Sequence, residues 1–97
     1  MLRHVSCLTW TADATAEQVA AIAAALAALP AQVPEIRSYA VGADLGLAAG
    51  NADLAIVADL DDADAWRRYQ EHPAHQAVLA MIRPLLASRT AAQFQVS

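Results

Sequence analysis

The chain has 97 residues, 58% of them apolar, a formal net charge of −4, six arginines, no lysine and one cysteine. That length fits one domain, residues 1–97, and leaves no room for a second. Scattered arginine on an acidic chain argues against nucleic acid as a partner. A lone Cys7 excludes an internal disulfide and suits a reducing cytoplasm. No uncharged apolar run approaches the ~18 residues of a membrane span, so no membrane partner is expected. Met1-Leu2-Arg3-His4 leads straight into a strand-like pattern, without a signal-peptide layout. A chain this short buries only part of its apolar surface, and a second copy is a common remedy. Alanine supplies much of the apolar count but little area, so Leu, Ile, Val, Trp and Phe must form the core.

Residues 2–10 alternate. Leu2, His4, Ser6, Leu8 and Trp10 point one way; Arg3, Val5, Cys7 and Thr9 point the other. Both sets carry apolar groups, which predicts a first strand covered on both faces. Thr15-Ala16-Glu17-Gln18 is a capping box, with Thr15 as N-cap and Gln18 folding back on it. A helix follows to about Leu29, with Val19, Ile22, Ala23, Leu26 and Leu29 as its stripe. Pro30 and Pro34 stop it.

Ile36 to Val41 is a second strand, ended by Gly42. Ala43 to Ala52 is a loop, and its glycines do not make a phosphate-binding fingerprint. Leu54 to Leu60 is a third strand. Asp61 and Asp62 cap a short helix through Glu71. Asp59, Asp61, Asp62 and Asp64 crowd a helix start without the spacing of a calcium loop. His72-Pro73 breaks that helix, and Pro73 suits the first turn of the next, which carries Val78, Leu79, Ile82, Leu85 and Leu86. Pro84 kinks or tightens its end. Thr90 to Val96 is a last strand anchored by Phe94.

The order β-α-β-β-α-β is the split pattern of ferredoxin-like α+β folds, with helices on one face of an antiparallel sheet. The other face would then carry Leu8 and Trp10 with one apolar set of the third strand. An uncovered apolar face of that kind calls for a two-fold partner. The expected assembly is therefore a homodimeric α/β-barrel.

The polar groups with chemistry cluster at Tyr69-Gln70-Glu71-His72-Pro73-Ala74-His75. The proline break lets Tyr69, at one helix end, and His75, at the next helix start, turn toward the same side of the sheet. His4 starts the first strand. His72, before proline, reads as an N-cap. Tyr39 and Trp66 read as packing residues, and Cys7 as a small core hydrophobe.

The chain resembles the stress-responsive A/B-barrel (Dabb) family, and its olivetolic acid cyclase-type members in particular. The resemblance covers nearly all of it. It rests on Arg3-His4-Val5, Val33-Pro34-Glu35-Ile36, Gly42, Asp61-Asp62 and above all Tyr69-x-x-His72-Pro73-x-His75. It implies a small homodimer whose sheets form a barrel. In those cyclase-type members a His and a Tyr close a linear polyketide by aldol condensation, without a cofactor. The matching residues are His75 and Tyr69, and a first-strand histidine matches His4.

A neutral imidazole near pH 7 can take a proton from a carbon flanked by carbonyls, and a tyrosine hydroxyl can hold the imidazole or donate to developing oxyanion charge. The resemblance thus casts His75 as base and Tyr69 as orienter or acid. His4 would hold the substrate carbonyl, and Leu8, Trp10 and Ile56 would form the apolar wall. Each has a plainer role too: His75 and His4 as hydrogen-bonded structural residues, Tyr69 as a plug of the barrel end. Two further functions compete. One is a non-enzymatic, stress-associated structural or ligand-binding protein. The other is a dimeric-barrel monooxygenase; such enzymes resemble this chain in fold and use an Asn, a Trp and a His. Ser6 stands where that Asn is expected.

Overall fold

A computed structural model of the chain describes residues 1–96. The elements run β1 (Leu2–Trp10), α1 (Ala16–Ala27), α2 (Leu29–Gln32), β2 (Ser38–Ala43), β3 (Leu54–Leu60), α3 (Ala63–Glu71), α4 (Pro73–Ile82), a 3-10 turn (Arg83–Leu85) and β4 (Leu86–Gln95). The strands form one antiparallel sheet in the order β2-β3-β1-β4, with the helices on one face. This is the ferredoxin-like α+β arrangement that the element order implied.

Local chemistry sets most boundaries. Thr15 caps α1 by accepting from the Gln18 N–H at 3.1 Å, while the Gln18 side chain accepts from the Thr15 N–H at 2.9 Å. Asp62 caps α3 by accepting from the Ala65 N–H at 2.8 Å. Pro84 sits in the 3-10 turn that tightens the end of α4. Other boundaries moved. Pro30 does not end helical structure; it occupies the first turn of α2, where its missing N–H costs nothing. Gly42 lies inside β2, opposite Ala55, and β2 starts two residues later than expected. β4 begins at Leu86 rather than Thr90 because its ladder with β1 runs from Leu2↔Gln95 to Trp10↔Leu86, past a register shift at Thr9/Trp10.

The core lies between the sheet and the helices. Ile22, Leu26 and Leu29 descend from α1 and α2 onto Leu54, Ile56, Ala58 and Leu60 of β3 and Leu2 and Leu8 of β1. The register sets Leu2, His4, Ser6 and Leu8 against Leu60, Ala58, Ile56 and Leu54. All eight are buried beneath the helices. This reverses the expectation that Leu8 and Trp10 would sit on the uncovered face. Leu8 is core, and Trp10 packs half-buried against the same cluster. The reason is area: β3's bulky residues oppose that set of β1, and bulk buried against helices excludes the most water.

The uncovered face carries Arg3, Val5, Cys7 and Thr9 with Ala55, Val57 and Asp59 of β3. Cys7 is half-buried there and is not part of the core. Phe94, expected to anchor β4, pairs with Arg3 on this face and is 48% exposed. Asp59 is buried on it because Arg3 grips its carboxylate at 2.7 and 2.9 Å and Ser38 donates at 2.8 Å. Those hydrogen bonds, led by Arg3, hold the Asp59 carboxyl down at about 2. No helix among the described residues is long and apolar enough to cross a membrane.

Leu29 is fully buried where α2 meets the sheet. Leu29→Ala should lower stability by about 2–5 kcal/mol, the range for a core leucine that leaves a cavity. Urea unfolding checks this; an unchanged midpoint would contradict the packing described.

Candidate functional site

The His72-Pro73 break builds the site. His72 closes α3 in extended conformation and caps α4, its Nδ1 accepting from the Ala74 N–H at 3.1 Å. The plainer reading of His72 therefore holds. The turn sets Tyr69, in the last turn of α3, beside His75, in the first turn of α4, with ring centroids 4.4 Å apart. It also frees the Gln70 carbonyl, which no longer has a helical partner. That carbonyl accepts from His75 Nδ1 at 3.2 Å and from the Gln76 side chain at 2.6 Å. A carbonyl only accepts, so the His75 proton sits on Nδ1 and Nε2 keeps its lone pair. Burial first, then the charges of Arg89 and Arg83, hold His75 below the ordinary imidazole value, against the opposing pull of the Gln70 carbonyl.

His4 has the complementary tautomer. The Trp66 indole donates to His4 Nδ1 at 3.3 Å, and the Gln93 amide lies 2.8 Å from the same nitrogen. An indole N–H only donates, so Nδ1 is bare and Nε2 carries the proton. Burial, reinforced by the charges of Arg89 and His75, pushes the His4 pKa down to about 4. The site thus holds two neutral imidazoles of opposite polarity: one with a free lone pair, the other with a free N–H.

Tyr69 is buried to within 1% and packs edge-on to His4, centroids 6.1 Å apart. Its hydroxyl lies 3.5 Å from that of Tyr39. Burial raises the pKa of both phenols, so both stay protonated at neutral pH. Of the two roles expected of Tyr69, orienter or acid, the first falls to the Gln70 carbonyl, which holds His75 Nδ1.

These groups line a cavity of about 360 Å³ under α4. His4, Ser6, Leu8, Ile56, Tyr69 and His75 all face it, and Val78 and Ile82 of α4 cover it. Trp10 does not line it; it packs on the core and its backbone N–H donates to the Asp53 carboxylate. The cavity opens beside β4, where Leu86 and Arg89 line it and the strand is otherwise exposed. Ser6, Gln70, Arg83, Arg89 and Gln93 were not picked out as site residues from the sequence. Ser6 could have been, since it alternates between His4 and Leu8; Gln70 acts through a backbone carbonyl freed by the His72-Pro73 break, and the other three needed the pairing of β4 with β1 or the end of α4. Trp66 and Tyr39, read as packing, are the hydrogen-bond partners of His4 and Tyr69. Among the described residues no group of three His, Cys, Asp or Glu could hold a metal ion.

A ferredoxin-like subunit with one bare sheet face and a His/Tyr cavity beneath its helices defines the class. The model of the stress responsive A/B barrel domain, Dabb, matches residues 2–96, and the chain belongs to that family. A solved structure similar over 98% of this chain and 90% of its own is a dimeric ferredoxin-like protein of unknown function from Thermobifida fusca, at 53% identity and a TM-score of 0.92. A hydroxynitrile lyase from Passiflora edulis has the same fold at 16% identity, over 99% of this chain and 93% of its own, TM-score 0.87. So does SnoaB, a cofactor-independent oxygenase from Streptomyces nogalater, at 18% identity, over 99% of this chain and 92% of its own, TM-score 0.77. An uncharacterised protein of Streptomyces coelicolor is 41% identical over 59 residues, a match spanning 61% of either chain.

The buried histidine makes stability depend on pH. His4 binds its proton near 4 when folded but near 6.5 when unfolded. The unfolded chain therefore takes the proton first as pH falls. Stability should be full above pH 6.5 and drop on the order of 1–3 kcal/mol between there and pH 4. Melting followed by circular dichroism should show that limb flattened in His4→Gln; equal slopes would assign it elsewhere.

Proposed function

We propose that the chain works as a homodimer that moves protons on a small carbonyl compound held in the His/Tyr cavity. The observation that carries this is the pair of opposite tautomers around one cavity. His75 Nε2 takes a proton from a carbon flanked by carbonyls. The C–H electron pair passes into the adjacent carbonyl as an enolate, and the His4 Nε2–H donates to its oxygen. In the sharper form the enolate carbon attacks a second carbonyl of a linear, polyketide-like substrate. A carbon–carbon bond forms, and the new alkoxide takes a proton from the buried Tyr69 hydroxyl, which regains one from the His75 imidazolium, whose ring centroid is 4.4 Å from its own. Leu8 and Ile56 provide the apolar wall that such a substrate needs. The lyase and oxygenase of the same fold support only the weaker point that it can host chemistry. The hydrogen bonds that hold His75 and His4 also fit the non-enzymatic reading, which leaves the cavity they line unexplained. Ser6 in place of an Asn counts against the monooxygenase reading.

Support for the dimer comes from the bare sheet face and from the dimeric relative at 53% identity. Val5, Cys7, Ala55 and Val57 form a central patch that a second sheet would bury. Leu45 and Leu47, 83% and 85% exposed on the loop after β2, line an open groove that continues that patch to Cys7 and Ala55.

The chemistry is tested by exchange of the acidic protons of a β-dicarbonyl in deuterated water, followed by NMR. His75→Ala should slow the catalysed exchange by about 100-fold or more, and Tyr69→Phe should slow it less. Because His75 titrates below the usual imidazole range, the rate should hold as pH falls past 6.5 and decline only lower. Exchange no faster than in buffer, or indifferent to His75, would sink the proposal. For the assembly, sedimentation should give twice the 10.2 kDa chain mass. Val57→Arg should yield a folded monomer, and a monomeric wild type would refute the dimer.

A further inference from the structure

The arginines divide into two groups. Arg3, Arg37, Arg67 and Arg68 each pair with a carboxylate, on Asp59, Asp61, Asp64 and Glu35. Arg83 and Arg89 make no such pair among the described residues, and both line the cavity. Among the described residues no aspartate or glutamate lines it, although the chain carries a net charge of −4. The placement follows from the fold. Arg89 lies opposite Leu8 in the β1–β4 ladder, on the face that carries His4 and Ser6. Arg83 opens the 3-10 turn that ends α4. Both are exposed at the mouth, whereas His4, Tyr69 and His75 are buried at the inner end. Both arginines line the same cavity as the two imidazoles, and their charges add to what holds His75 below the ordinary imidazole value.

An unpaired cation beside a buried histidine opposes protonation of that histidine. Such a pair at the mouth of an otherwise neutral cavity is placed to receive an anion. A guanidinium presents a planar fork that matches a carboxylate with two parallel hydrogen bonds. We propose that the ligand of this cavity is an oxo acid: its carbonyl lies between His4 and His75, and its ionised carboxylate is held at the mouth by Arg89 and Arg83. The same charges favour the enolate, which carries a second negative charge. This deepens the proton-transfer reading and rests on it for the carbonyl end, while the carboxylate end stands on the arginines.

The test uses 5,7-dioxooctanoate and its methyl ester, which share one β-diketone unit and differ by the charge at the far end. Binding is read by amide chemical-shift titration, and turnover by deuterium exchange at the carbon between the carbonyls. Wild type should bind the acid roughly tenfold tighter than the ester, the scale of one charge-assisted contact at a solvated mouth. The double variant Arg83→Gln/Arg89→Gln should lose that preference and bind acid and ester equally. Arg67→Gln, whose parent pairs with Asp64 on the surface, should keep the preference, and circular dichroism checks that all variants fold. Equal binding of acid and ester by wild type would overturn the proposal. So would a preference that survives the double variant. If the acid is preferred through the arginines but no exchange occurs, the carboxylate site stands and the proton-transfer reading fails. If both ligands exchange alike and without regard to the arginines, the proton-transfer reading stands and the carboxylate site fails. If neither ligand binds, both fall.

Discussion

The pairing of β1 with both β3 and β4 is the constraint on which the rest depends. β1 is central, so its two faces see two different worlds. One face lays Leu2, His4, Ser6 and Leu8 under the helices. The other presents Val5 and Cys7 on a surface no helix covers. A strand's period of two makes these assignments inseparable. Shifting β1 by one residue would pull His4 out of the cavity and expose Leu8 in the same step. The ladders also carry Gln93 to His4 and Arg89 to the cavity mouth. Site and sheet are therefore one structure.

A second constraint is the proline break between α3 and α4. Had the helix run on, the Gln70 carbonyl would have been consumed by its own ladder. Interrupted at His72-Pro73, it is free to hold the Nδ1–H of His75. The tautomer of His75 is thus set by backbone geometry, and that of His4 by an indole that can only donate. Neither needs a carboxylate. This explains why a cavity with two histidines lacks an acidic lining, and why its charge comes only from arginines at the mouth. The arrangement favours neutral imidazoles inside and negative charge arriving from outside.

Burial of these groups has a stability cost under acid, and it is separate from that of Asp59. His4 loses its preferred neutral state between pH 6.5 and about 4. The Asp59 carboxylate, gripped by Arg3, gives way only as pH falls toward 2. One group belongs to the cavity face and the other to the bare face, so the two limbs report on the two sides of one sheet.

Most elements and their order were legible in the amino-acid pattern, α2 and the start of β4 excepted. Alternation gave β1 and β3 their full lengths, the Thr15-Gln18 box began α1, and His72-Pro73 divided α3 from α4, because each signal is local and is read within a few residues. The cluster of Tyr69 and His75 was legible for the same reason, as was the capping role of His72. Which face of β1 is buried was not legible, since both sets carry apolar groups and the choice fell to the bulk of β3 opposite. That choice moved Leu8 and Cys7 to faces opposite those expected, while Trp10, packed on the core, stayed outside the cavity. The partners of His4 and the convergence of Arg83 and Arg89 lay equally out of reach. Trp66, Gln93 and Arg89 stand more than sixty residues from His4 along the chain, and only strand pairing and helix docking bring such distant groups to one cavity.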